Sequence, residues 1–194
     1  MYPALYSVAA SWIGERSRVL DLGTGEGRFL SSLIKEKAVH GEGVEKDPEL
    51  VAQCIERGLV VHQGDIMDGL DQYATSSFDF VLLLGTFQEL VDLEDTLEEA
   101  FRVGRRLIIA YHNFSYWRLR FEFMLKGKTP VAAFSKGSWY SSPNRHIFSI
   151  DDFEEFLAAK QIREIRSAYF NARGRVRFFP NLLADQVLSE LVLS

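Results

Sequence analysis

Cysteine occurs once in the 194 residues, at Cys54, so neither a disulfide framework nor a zinc cluster can be assembled from this chain. A reducing compartment, the cytoplasm, is the expected location. The opening "MYPALYSVAASWIGERSR" has no basic leader, and its apolar positions are interrupted well short of the roughly 20 residues that a bilayer span requires. No membrane association is expected. Internal repeats, low-complexity tracts and linkers are absent, as is any His-x-x-x-His or paired Cys/His spacing, so no metal site is expected. What remains, 47% hydrophobic and 25% charged residues, excludes a disordered or fibrous chain. It suits one soluble domain over residues 1–194, large enough to bury roughly 70% of its unfolded surface.

The formal net charge of −5 conceals an asymmetry. Residues 1–100 hold 7 Lys+Arg against 19 Asp+Glu, whereas residues 101–194 hold 15 against 8. The halves can present unlike surfaces, although a solvated acidic helix near "DLEDTLEEA" with scattered arginines elsewhere is the plainer account.

Periodicity gives strands alternating with helices. An amphipathic helix is expected over 1–14, with Leu5, Val8, Ala9 and Trp12 on one stripe. Strands are expected at 18–22, 41–45, 59–63, 78–84 and 106–111, with helices at 27–37, 48–58 and 93–103 between them. This is the βαβ rhythm of a parallel sheet, and the continuously apolar "VLLL" and "LIIA" fit strands covered on both faces. Residues 114–125, "FSYWRLRFEFML", fit a helix with Phe114, Trp117, Phe121, Met124 and Leu125 at helical spacing. They also fit a strand alternating Trp117, Leu119, Phe121 and Phe123 against charges. The helix is preferred. A long ordered loop is expected at 127–145, then a helix capped by Ser149 and its following aspartates through about 159. A late strand at 162–170 and a final strand near 187–193 complete the chain, though the tail pattern also permits a helix.

The chemistry-bearing stretch is "RVLDLGTGEGRFL", with glycines at 23, 25 and 27 directly after the first strand. Glycines there let the backbone turn sharply and let a ligand touch the main chain while the next helix presents free N–H groups. Dinucleotide sites favour G-x-G-x-x-G, whereas D-x-G-x-G-x-G is the spacing associated with S-adenosyl-L-methionine (SAM) sites. A tight turn with no ligand would leave the companions unexplained. Glu45 ends the second strand, where a carboxylate can accept both hydroxyls of an adenosine ribose; Asp47 is its rival. Asp65 ends the third strand and can accept from an adenine amino group while Ile66 covers the ring. Asp21, beneath the loop, can order its amides near a cationic methionine end. Each acid alone could be a helix cap. Four features at successive strand ends are harder to dismiss. The candidate cofactor set is therefore Asp21, Gly23, Thr24, Gly25, Gly27, Glu45, Asp65 and Ile66.

These motifs resemble the class I SAM-dependent methyltransferases, and within them the methionine-biosynthesis MetW family. Generic methyltransferases share only the first blocks, "SRVLDLGTGEG", "GEGVEKDPE" and "GDIMDGL". The blocks "FRVGRRLIIAYHNFSYWRLR", "LKGKTP" and "WYSSPNRHIFSIDDFEEF" carry the closer likeness. The resemblance implies a Rossmann-like α/β fold, a mostly parallel seven-stranded sheet with helices on both faces, and a helix and loop inserted at about 114–148. It implies SAM as cofactor, S-adenosylhomocysteine as product or inhibitor, and a homoserine O-acyltransferase (MetX-like) as partner. Three departures stand out. Thr24 replaces a frequent cysteine, Leu84-Gly85 replaces a more polar pair before Thr86 and Gln88, and His112 takes a position usually held by proline, over the acceptor side of the cleft.

Two functions follow. The first is methyl transfer, an in-line displacement at an activated sulfonium in which positioning in a dry site matters most and a base helps if the acceptor is protonated. Its available polar candidates are His112, Asn113, Tyr140 and His146, although a lone histidine is more often a structural hydrogen-bonding residue. The second is a SAM-responsive partner of the acyltransferase, with the aromatics and arginines of 114–125, Trp139 and Tyr140 as the contact residue types. A lid or plain core packing would use the same residues. Arg173, Arg175 and Arg177 could meet phosphates, but no RNA-binding motif accompanies them and the net charge is negative.

Overall fold

The computed structural model describes residues 1–127 and 142–193. Its strands are β1 (Arg18–Leu22), β2 (His40–Glu45), β3 (Val60–Gln63), β4 (Phe80–Leu84), β5 (Leu107–His112), β6 (Ile162–Asn171), β7 (Gly174–Val176) and β8 (Gln186–Leu193). The helices are α1 (Pro3–Trp12), α2 (Arg28–Lys37), α3 (Pro48–Glu56), α4 (Ile66–Leu70), α5 (Leu93–Val103), α6 (Trp117–Lys126), α7 (Ile150–Ala159) and α8 (Pro180–Leu183). The strands form one sheet in the order β3-β2-β1-β4-β5-β8-β6-β7. The first five are parallel, while β8, β6 and β7 pair antiparallel.

Apolar strands without polar alternation need cover on both faces, and two separate cores supply it. Val81, Leu83, Leu107 and Ile109 point into the core under α5 and α7. Their neighbours Phe80, Leu82, Ile108 and Ala110 point the other way, against α1, α2 and Cys54 of α3. Alternate residues along each strand thus serve opposite cores.

The architecture is the Rossmann-like methyltransferase type, with one correction. Eight strands pair among the described residues, not seven, because Gly174–Val176 closes a hairpin on β6. Three residues are too few to carry an alternation signal. The strand expected from 78 begins at Phe80, and Phe78 adds only an isolated bridge to Gly104. The tail is a strand, placed centrally between β5 and β6. Its charge, Glu190, is fully buried and ion-paired to Arg106 and Arg166.

Residues 117–126 are helical as preferred, but the expected apolar stripe is not a buried face. Leu119 is the residue of α6 that is buried, while Trp117, Phe121, Met124 and Leu125 are exposed. Helix α7 begins with the expected cap: Ser149 Oγ accepts from Asp152 N at 3.0 Å, and Asp152 Oδ2 accepts from Ser149 N at 2.8 Å. Most of the expected 127–145 loop falls outside the described residues.

Candidate functional site

The strand order reverses between β1 and β4, so the loops leaving their carboxyl ends diverge and open a crevice, the usual ligand position in such sheets. The loop after β1 is held by the neighbouring strand: Gly23 N and Thr24 N both donate to Val44 O, at 2.8 and 3.1 Å. The three glycines there have different reasons. A Cβ on Gly23 would lie 2.1 Å from Thr86 Cγ2, and one on Gly27 would lie 2.3 Å from Leu59 Cδ1. Protein packing excludes side chains at both. A Cβ on Gly25 would meet no protein atom within 4 Å. Its outward face opens on a cleft of about 730 Å³ lined by Asp21, Gly23, Thr24, Gly25, Tyr6 and Leu84, among others.

Glu45 is buried beside this loop and works as a clamp. Its Oε2 accepts from Gly25 N at 2.8 Å, and its Oε1 accepts from Lys46 N and Asp47 N at 2.9 and 3.0 Å. An ionised carboxylate has about four acceptor positions, so one stays available, and accepting two further hydroxyls would require the Gly25 amide to yield. Asp21 is buried and accepts from Thr24 Oγ1 at 2.8 Å. Burial pushes its carboxyl up to about 6; the Thr24 hydroxyl opposes the shift and Glu45 adds to it.

The rival Asp47 is exposed and caps α3 through Glu49 N at 2.8 Å. Asp65 is also exposed and caps the short α4 through Met67 N at 3.3 Å, with Ile66 half-buried behind it. Asp21, Gly23, Thr24 and Gly25 therefore meet in one cleft with Glu45 adjoining. Asp65 and Ile66 lie at another strand end, outside its lining, and Gly27 is packed beneath α3.

At the end of β5, the buried Gln88 reads the backbone of His112 twice: Oε1 accepts from His112 N at 2.8 Å and Nε2 donates to His112 O at 3.1 Å. Burial, chiefly, lowers the His112 imidazole to about 4. Asn113 is fully buried, and its amide is spent on Asn181 O, Ala184 O and Ser115 N. His146 lines a different cavity of about 530 Å³ between α5 and α7, walled by Phe87, Phe148, Phe153 and Phe156. Tyr140 and Trp139 lie outside the described residues. Sequence reasoning missed Tyr6, whose ring packs on Phe29 at 5.2 Å, because Tyr6 sits off the apolar stripe of α1. It named Gln88 only as part of a family position and gave it no role; the residue lies buried in the turn after β4.

Among the described residues no group of three or more His, Cys, Asp or Glu is arranged to hold a metal ion, and no helix is long and apolar enough to cross a membrane.

A family model described as "Methionine biosynthesis protein MetW" matches residues 4–193. The bifunctional methionine biosynthesis protein MetXA/MetW of Rhodopirellula baltica is 33% identical over 182 residues, covering 87% of this chain. That match takes in 29% of the relative's own length. Among solved structures, a SAM-dependent methyltransferase of Thermotoga maritima, described as a possible histamine N-methyltransferase, superposes with TM-score 0.69 at 19% identity, over 98% of this chain and 88% of that one. The [4+2]-cyclase SpnF superposes with TM-score 0.71 at 14% identity, over 97% and 80%. At such identities these likenesses speak for the fold alone. The match along almost the entire sequence goes further: the chain belongs to the methionine biosynthesis protein MetW family.

Proposed function

We propose that this protein binds SAM in the cleft above Gly25 and acts in methionine biosynthesis as the SAM-responsive companion of a homoserine O-acyltransferase of the MetX type. The observation that carries the partner half is the Rhodopirellula relative, whose name joins a MetXA and a MetW part in one polypeptide. A fused chain is the covalent form of an association that separate chains make by docking, at high effective concentration.

The residues fit the ligand. Gly25 leaves its outward side open, Glu45 keeps one acceptor position for a ribose hydroxyl, and the buried Asp21 offers a counter-charge beside the cleft. Asp65 and Ile66 are the adenine-side candidates, one capping and one apolar. When bound, SAM would supply an activated methyl group, and S-adenosylhomocysteine would occupy the same cleft without one.

Turnover is the second reading, favoured by the methyltransferase among the fold neighbours. The polar candidates at β5 give it little support. An imidazole near 4 is a weak base at neutral pH, and the Asn113 amide is committed to backbone groups. The same fold is shared with a protein described as a cyclase, so fold alone does not dictate methyl transfer.

Calorimetry with SAM tests the ligand half. Gly25→Val forces a branched residue into φ +59 and fills the cleft. Binding is expected in the wild type and lost in the variant with its circular dichroism unchanged; equal affinity in both removes the site. The acyltransferase's rate in the presence of this protein tests the partner half.

A further inference from the structure

Helix α6 and the β6–β7 hairpin are distant in sequence, but they meet at the edge of the sheet opposite β3. Between them is a cavity of about 360 Å³ whose lining includes Trp117, Arg118, Arg173, Arg175, Arg177 and Phe178. Four arginines contribute and no acidic side chain does. Among the described residues none of the ion pairs engages these four arginines. Arg118 lies over the Trp117 ring at 5.4 Å, which holds its guanidinium in place. Arg173, Arg175 and Arg177 recur at every second residue along an arm whose outer edge pairs with no strand among those described.

The rim is apolar as well as cationic. Phe178 and Phe179 are 75% and 76% exposed, and Leu182 is 42% exposed. Phe179 also adopts φ +48, a conformation that a bulky residue enters only against strain. Two solvent-exposed phenylalanines, one of them strained, beside four arginines that make no ion pair among the described residues form a patch of the kind that marks an interaction site.

We propose that this rim is a docking surface for an acidic, partly apolar segment of a protein partner. The charge decides the sign of the occupant, and the exposed phenylalanines and Trp117 favour a protein segment over a nucleic acid, because aromatic and arginine residues together are the composition of protein interface centres. Taking the acyltransferase as that partner rests on the function proposed above.

The test uses the full chain and the homoserine O-acyltransferase of the same host, with affinity measured by biolayer interferometry at low and moderate salt. Arg173→Glu/Arg175→Glu, at two exposed positions, is expected to raise Kd at least tenfold and to flatten its salt dependence, while SAM calorimetry stays at the wild-type value. Arg173→Lys/Arg175→Lys should recover most of the affinity, which a fold defect would not allow. Complex formation unaffected by the charge reversal would overturn the surface and leave the partner reading intact. Absence of any complex with the wild type would overturn both. Single- or double-stranded nucleic acid binding at 150 mM salt, lost in the double glutamate variant, would overturn the assignment to a protein partner.

Discussion

Asp21 is the residue at which a sulfonium and a neutral thioether should be told apart. Its carboxyl is raised to about 6 by burial, so in the ligand-free protein it takes a proton as pH falls through that value. A cation nearby favours the ionised form. SAM affinity is therefore expected to rise between pH 5 and 7, whereas that of S-adenosylhomocysteine, lacking the positive charge, should change less. Asp21→Asn should abolish the difference, and calorimetry of both ligands across that range checks it. The sign for stability is opposite. A buried acid with a raised folded value binds more protons folded than unfolded, so its contribution falls as pH rises from about 4 to about 6. Much of this cleft was legible, because the acids and glycines fall at strand ends and strand ends follow from periodicity. The separate duties of the glycines were not: only the fold brings Thr86 over Gly23 and Leu59 against Gly27.

At the scale of elements, β8 shows what a strand needs in order to carry a charge through the middle of a sheet. Glu190 is fully buried, and its two oxygens take Arg106 at 3.0 Å and Arg166 on the other side. These contacts tie β8 to β6 and to the residue that leads into β5. Each arginine is nearly half exposed, and removing one leaves the carboxylate paired with the other. Arg106→Ala and Arg166→Ala singly should each cost about 1 kcal/mol or less after allowance for solvent screening. The double variant leaves the buried carboxylate unpaired and should cost about 3–5 kcal/mol, well beyond the sum. Urea unfolding of the three variants measures the cycle; additive losses would contradict it. The sequence pattern left this segment open to either a helix or a strand, because the buried glutamate interrupts the apolar period and its two partners are 84 and 24 residues away.

For the whole molecule, the strand order turns a sequence property into a spatial one. Strands β3, β2, β1 and β4 come from residues before 85 and fill one end of the sheet, while β5, β8, β6 and β7 come from residues after 106 and fill the other. The first hundred positions hold 7 basic against 19 acidic residues and the rest 15 against 8, and four of the later arginines meet at the β7 edge. The asymmetry could be counted in the sequence. The convergence of Arg118 with Arg173–Arg177 could not, since it depends on the long reach from α6 to the hairpin across the sheet edge. A protein with the cleft proposed for SAM above the junction between β1 and β4 and a cationic, aromatic rim at one edge is suited to reporting on a small molecule to a partner. The most direct measurement is the acylation rate of the host's homoserine O-acyltransferase, titrated with this protein with and without SAM. The rate is expected to rise with added protein to a plateau near one chain per acyltransferase subunit, and the plateau or its midpoint should shift when SAM is present. A rate indifferent to the protein at every concentration, together with SAM consumed on an identified methyl acceptor, would contradict the companion role.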